Sequence, residues 1–331
     1  MIDIIGAGAW GTALAFCLAE KKSPIKLFTK TKDQAKEINY LKKNQKYFPD
    51  HQIPNEISIS ALAEVNADSI AEIAFVCIPT TFLQELFSKY FMVLQNYKSI
   101  IIASKGIEIE SGFLPHQIAF QYFKNEKPDI AIISGPSFAE ELIKKKPAAL
   151  TFASKELSVA QKLAKIISRK HLRIYPSSDL NGVATLGALK NVLALASGIS
   201  DGMELGENAR AALITRGINE ISRFILSNGG NLESIYGLAG VGDIILSCVS
   251  SKSRNYRAGV ALAKGESIDK IIKKIGTVEG INTTLAIKKI IDQQNLSAPI
   301  CMSIWQIIKN RISAREAVDM LMNRPIKNQE K

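Results

Sequence analysis

Lys190 is the single charged residue between Asp179 and Asp201, and it lies inside the apolar run Gly182-Val183-Ala184-Thr185-Leu186-Gly187-Ala188-Leu189-Lys190-Asn191-Val192-Leu193-Ala194-Leu195. A helix of that composition has little polar face, so Lys190 and Asn191 are expected in an interior or on the floor of a cleft. Burial lowers the pKa of an ammonium and leaves it in need of a counter-charge. Such a lysine suits a general acid or a clamp on an anionic substrate; the competing reading is a lysine that snorkels out from a helix end. Asp243, in Gly240-Val241-Gly242-Asp243-Ile244-Ile245-Leu246-Ser247-Cys248, is a lone carboxylate in an apolar, glycine-bounded segment. It is a natural partner to orient Lys190 and share its charge, or alternatively a helix N-cap. Ser253-Arg254-Asn255 supplies a hydroxyl, a forked guanidinium and an amide at a helix start. Those groups bind a phosphate monoester, although the tripeptide also serves as an ordinary helix start.

A second group of residues points to a dinucleotide. Gly6, Gly8 and Gly11 form a GxGxxG motif directly after an apolar strand, with a helix continuing through Thr12–Ala19. Gly6 permits a tight turn, Gly8 lets backbone approach a pyrophosphate, and Gly11 allows close helix packing. At the end of the second strand, where an acid would bind the ribose 2′-hydroxyl of NAD, this chain has Phe28-Thr29-Lys30. A positive residue there suits the 2′-phosphate of NADP, so NADPH is the expected cofactor, with NADH tolerated; the alternative is that Lys30 is one more surface lysine. Three further strand ends carry polar loops: Pro79-Thr80-Thr81, Ser104-Lys105-Gly106 and Ser134-Gly135-Pro136-Ser137-Phe138-Ala139. Together they point to one ligand crevice at the carboxyl ends of the strands.

The elements that must position these residues fall into two regions. Seven candidate strands, Ile2–Ile5, Ile25–Thr29, Ile73–Ile78, Ser99–Ala103, Ile130–Ser134, Ala149–Ala153 and Leu172–Tyr175, alternate with helical patterns. This is the sequence form of an α/β, Rossmann-type doubly wound, mostly parallel sheet. After Pro176 strand signals become sparse and helical patterns take over, from Leu180–Ser200 to Ala314–Met322. We therefore expect a dinucleotide-binding domain over 1–178 and an all-helical substrate-binding and catalytic domain over 179–331.

The 331 residues, 47% of them hydrophobic, suffice for two cores, and a formal charge of +11 favours anionic partners. The loose lysine concentration at Lys21, Lys22, Lys26, Lys30, Lys32, Lys36, Lys42, Lys43 and Lys46 reads as a solvated surface, with a steering patch as the alternative. No basic helix or aromatic-interleaved basic stripe appears, so no nucleic-acid partner is expected. Cys17, Cys77, Cys248 and Cys301 lie far apart without CxxC pairs, which argues for reduced, packed thiols, no metal site and a cytoplasmic protein. Residues 4–19 are apolar, but Asp3 precedes them and Glu20-Lys21-Lys22 follows, unlike a signal peptide. Lys190 and Asn191 interrupt the second apolar stretch, so no integral membrane span is expected.

Taken together, Gly6-Ala7-Gly8-Ala9-Trp10-Gly11-Thr12-Ala13, Ser104-Lys105-Gly106, Ser134 to Ala139, Leu189-Lys190-Asn191, Ala209 to Gly217, Gly240 to Asp243, Ser253-Arg254-Asn255 and Val278-Glu279-Gly280 resemble bacterial-type NAD(P)-dependent glycerol-3-phosphate dehydrogenase. The resemblance implies reversible reduction of dihydroxyacetone phosphate, a small phosphorylated ketone, to sn-glycerol 3-phosphate for phospholipid synthesis, and a homodimer. It implies Lys190 as proton donor and acceptor, with Asp243 and Lys105 beside it. It implies substrate contacts from Lys105, Gly135, Ser137, Lys190, Asn191, Asp243, Ser253, Arg254 and Asn255. The dinucleotide would meet Gly6, Gly8, Ala9, Trp10, Gly11, Lys30, Lys105, Gly135, Ala139, Arg254, Val278 and Glu279. Ala9 stands where many members carry a serine. The runner-up is another two-domain reductase acting on a carboxylate such as ketopantoate, and a non-catalytic NADPH sensor is the alternative of a different class.

Overall fold

A computed structural model describes residues 1–19, 24–66, 70–124 and 127–325. Glu20, Lys21 and Lys22, and the last six residues of the 179–331 segment, lie outside the described residues. By packing, the chain divides into two compact units. The first comprises Met1–Ser104 and Pro115–Leu180; the second comprises Lys105–Leu114 and the chain from Asn181 onward.

The first unit is built on one sheet: β1 (Ile2–Ile5), β2 (Ile25–Thr29), β3 (Ile57–Ala61), β4 (Ile73–Val76), β5 (Ser99–Ile102), β6 (Asp129–Ser134), β7 (Ala148–Ser154) and β8 (Leu172–Ser177). Its order is β3-β2-β1-β4-β5-β6-β7-β8, parallel throughout except for the antiparallel β6–β7 pair. β1, β4 and β5 are buried at every position. That is why they are almost wholly apolar: helices cover both faces of a parallel sheet and leave no polar side. The exceptions are Ser99 and the buried Asp3, whose Oδ2 accepts from the Ala71 amide at 3.1 Å and from the Tyr97 hydroxyl at 2.8 Å. β3 was not expected from sequence. Its Ile-Ser-Ile-Ser-Ala alternates buried and more exposed positions at the sheet edge, so it lacks the apolar run that marks its neighbours. The strand order reverses between β1 and β4, and in such sheets ligands bind outside the carboxyl ends at that switch point.

The second unit is helical. The Leu180–Gly202 helix is long and apolar enough to cross a membrane, yet it is fully buried inside the protein. The Arg254–Ala263 helix lies directly against it, backbone to backbone. A Cβ on Gly198 would come within 2.0 Å of the Tyr256 carbonyl oxygen, and one on Gly259 within 2.1 Å of that of Leu195. Glycine at both positions brings Ser253-Arg254-Asn255 close to Lys190-Asn191. The helix Asp243–Val249, absent from the expected set, follows a short turn over Leu238–Gly242. At seven residues with a continuous apolar sequence it offers too few turns for a periodic signal.

Candidate active site

In the first unit, β1 ends at Ile5 and Gly6 turns the chain with φ of 115°. A Cβ on Gly6 would lie 2.5 Å from the Cys77 carbonyl oxygen, and one on Gly11 2.1 Å from that of Gly6. The protein's own packing therefore requires both glycines. Gly8 differs, because a Cβ built there meets nothing within 4 Å. Open space over Gly8, beside the start of the Ala9–Ala19 helix, is the cradle a pyrophosphate needs, so the residues present fit a dinucleotide. Asn44, buried, fastens this loop by donating from Nδ2 to the Ala7 carbonyl at 3.0 Å and to Thr12 Oγ1 at 2.8 Å.

Gly6, Gly8, Thr29, Lys30, Asn44 and Phe82 are among the residues that line a groove of about 550 Å³. Lys30 is exposed, and its ammonium stands 4.9 Å above the centre of the Phe82 ring. Trp10 Nε1 donates to Ser137 Oγ at 3.3 Å, and that hydroxyl donates to the Gly135 carbonyl at 3.2 Å. Gly135 has φ of 135°, and Ala139 opens the short Ala139–Leu142 helix. Ala9 is partly buried against the core of this unit. Trp10, Gly135 and Ser137 thus form one hydrogen-bonded group.

In the second unit the charged residues converge on Asp243, which is 1% exposed. Its Oδ1 accepts from Lys190 Nζ at 2.6 Å and its Oδ2 from Lys105 Nζ at 2.7 Å. Lys190 also donates to Ser247 Oγ at 2.9 Å, one helical turn beyond Asp243. Lys190 therefore does not snorkel to solvent, and Asp243 is not the N-cap of its helix, a place taken by Gly242. Burial works to raise the Asp243 pKa, but the two ammonium groups outweigh it and hold the carboxyl below its ordinary value. Burial, reinforced by the Lys190 charge, lowers the Lys105 pKa to about 8 against the opposing pull of Asp243.

Asn191 extends this cluster. Its Nδ2 donates to the Lys105 carbonyl at 2.8 Å, and its Oδ1 accepts from Asn255 Nδ2 at 2.8 Å. Asn255 Oδ1 in turn accepts from the Gly280 amide at 2.9 Å. Ser253 caps its helix by accepting from the Tyr256 amide at 3.3 Å, while Arg254 is exposed. Val278 is buried at the N-cap of the Glu279–Gln294 helix, and Glu279 is half-buried at that helix's first position. Two lysines aimed by one carboxylate can donate to a reacting carbonyl oxygen and move a proton, while a hydroxyl, guanidinium and amide at a helix start can hold a phosphate.

Both halves of the chain are similar to known proteins. Residues 1–160 match the family description "NAD-dependent glycerol-3-phosphate dehydrogenase N-terminus", and residues 179–319 match its C-terminus. The chain belongs to this family. It is similar to glycerol-3-phosphate dehydrogenase [NAD(P)+] of Oceanobacillus iheyensis, 38% identical over 98% of this chain and 94% of that protein. The Nitrosospira multiformis protein of the same name is 37% identical over 99% of each. Among solved structures, glycerol-3-phosphate dehydrogenase from Coxiella burnetii superposes with a TM-score of 0.92 at 31% identity, covering 98% of both chains.

For a member of the glycerol-3-phosphate dehydrogenase family, two residues that sequence reasoning missed stand out. Ser247 completes the polar surroundings of Lys190; its spacing of four from Asp243 is a helical signal that becomes readable only once that segment is known to be a helix. Asn44 anchors the glycine loop from a lysine-rich stretch whose pattern carries no such signal.

Proposed function

We propose that this chain is an oxidoreductase that reduces dihydroxyacetone phosphate to sn-glycerol 3-phosphate with NADPH or NADH, reversibly, supplying glycerophospholipid synthesis. The observation that carries the reading is Asp243 held between Lys105 and Lys190 in a chain of this family. The bound dinucleotide supplies the hydride to the ketone carbon. Gly6, Gly8 and Gly11 would hold its pyrophosphate, with Ala9, Trp10, Lys30, Gly135 and Ala139 from the first unit and Lys105, Arg254, Val278 and Glu279 from the second.

Lys190 Nζ delivers a proton to the developing alkoxide, and Asp243, accepting from it at 2.6 Å, aims that nitrogen. Lys105, on the other oxygen of Asp243, adds a second positive group that stabilises negative charge on the substrate oxygen. Ser253, Arg254 and Asn255 hold the phosphate, with Asn191, Gly135 and Ser137 completing the substrate contacts; fixing the phosphate fixes the carbonyl. Four cysteines that form no disulfide support a cytoplasmic location, and the family relationship supports a homodimer. The test is loss of reduced-nicotinamide absorbance with dihydroxyacetone phosphate, run beside ketopantoate and with each cofactor. Turnover with the phosphorylated ketone alone is expected. Cofactor binding without turnover on any ketone would overturn the enzyme reading, and a mass corresponding to one chain in solution would overturn the dimer.

A further inference from the structure

We infer that Lys46 is a second reader of the NADP 2′-phosphate, acting with Lys30 in the dinucleotide groove that both line; this rests on the cofactor site proposed above. Lys30 directly follows β2, where the adenosine ribose of a bound dinucleotide lies in this class of sheet. Lys46 and Tyr47 line the same groove from the connection between the Lys32–Leu41 helix and β3.

That connection is built to hold them still. Its ends are tied by a Lys43–Gln52 bridge and by the Ile53 amide donating to the Lys42 carbonyl at 2.8 Å. Asn44 clamps it to the glycine loop, and the Tyr47 and Phe48 amides both donate back to the Asn44 carbonyl, at 3.1 and 2.8 Å. Phe48 is buried against the core of the unit. The same buried asparagine thus fixes the pyrophosphate cradle and the segment carrying Lys46, so the distance between the two is set by the fold. Three lysines line the groove, each over an aromatic ring that lines it too: Lys30 over Phe82 at 4.9 Å, Lys46 over Tyr47 at 5.5 Å and Lys89 over Tyr90 at 5.6 Å. Such contacts restrain a long side chain while leaving its ammonium available to an anion. Lys46, unlike Lys89, sits on the segment that Asn44 ties to the glycine loop.

Two acids, Glu37 and Glu85, line the groove as well. Neutral ribose hydroxyls hydrogen-bond with carboxylates, whereas a phosphate dianion needs the lysines, so removing a lysine penalises NADPH selectively. The experiment is direct binding of NADPH and NADH to the full-length protein, followed by nicotinamide fluorescence, for wild type, Lys46→Ala, Lys30→Ala and Lys36→Ala. Lys36 is exposed on the neighbouring helix and does not line the groove, so its variant controls for bulk charge. Exposed charge pairs predict about a five- to tenfold weaker NADPH Kd for Lys46→Ala and for Lys30→Ala, with the NADH Kd changed less than about twofold. The loss for Lys46→Ala should shrink as salt is raised. An unchanged NADPH Kd in Lys46→Ala, or equal weakening of both cofactors, overturns the inference while leaving the cofactor site standing. Failure of the wild type to bind either dinucleotide overturns both.

Discussion

Replacing Asp243 by Asn removes the one negative charge shared by two buried ammonium groups, and its cost can be worked from the geometry. Lys105 has an escape. With its pKa already at about 8, loss of its proton at neutral pH costs about 1.4 kcal/mol, which caps its share of the unbalanced repulsion. Lys190 loses a 2.6 Å charge-assisted bond worth about 1.5–3 kcal/mol, since asparagine offers the two lysines one neutral oxygen and turns its NH2 toward one of them. The sum predicts destabilisation of about 3–4 kcal/mol, measurable by urea unfolding. The larger signature is in pH dependence. Asp243 is the group that raises the Lys105 pKa, so without it that pKa falls below about 8. In wild type, reduction of dihydroxyacetone phosphate should fall as pH rises through about 8, where Lys105 loses its charge. In Asp243→Asn the same limb should move to lower pH by about one unit or more, with a lower plateau. A profile of kcat/KM against pH at constant ionic strength reads this directly. An unshifted limb in a folded variant would refute the idea that Asp243 sets the charge state of Lys105.

Substitutions at four further positions separate the roles proposed for the two units. Lys190→Ala should lower kcat by about 100- to 10,000-fold, the usual worth of a positioned general acid, while the NADPH Kd measured by fluorescence stays within about twofold; equal losses would count against its proton-transfer role. Gly8→Ala should leave stability within about 0.5 kcal/mol by thermal unfolding, since its Cβ meets no protein atom, yet should greatly weaken dinucleotide binding; retention of affinity would remove the phosphate reading of that space. Gly11→Ala should instead destabilise by more than about 3 kcal/mol, because its Cβ would sit 2.1 Å from a backbone oxygen that cannot swing away. Ser247→Ala should reduce kcat by about three- to tenfold at an unchanged KM, with Ser247→Thr restoring most of the rate; a change confined to KM would place Ser247 on the substrate instead.

What could be read from sequence divides by whether the physics is local. The glycine motif is legible because a turn, an anion approach and a helix contact all fall within six residues after a strand. Lys190 and Asp243 are legible because charge inside an apolar run is costly and so demands a reason. Lys105 is harder. Its strand-end position marks it as a candidate, but nothing local says that the segment Lys105–Leu114 packs with the helical unit and delivers its ammonium to Asp243. β3 escaped because an edge strand with one polar side lacks the apolar run of its neighbours. Ser253-Arg254-Asn255 carries the two meanings its sequence allows, since Ser253 does cap the helix and Asn255 is engaged at both ends of its amide.

The charge count of the cluster explains why it suits an anionic substrate. Two lysines and one aspartate leave a net positive charge in a buried setting, which a protein tolerates only when the geometry is good or a counter-ion arrives. The lowered Lys105 pKa records that tension, since the ammonium is held less firmly than in water. A bound substrate whose oxygen is gaining negative charge relieves the tension most at the transition state, when that charge is largest. On the roles proposed for Lys105 and Lys190, free energy stored as imperfectly balanced positive charge in the resting protein would return as stabilisation of the developing alkoxide, the differential binding that raises kcat rather than affinity alone. A second carboxylate beside Asp243 would make the resting protein more comfortable and, on this reasoning, the enzyme slower.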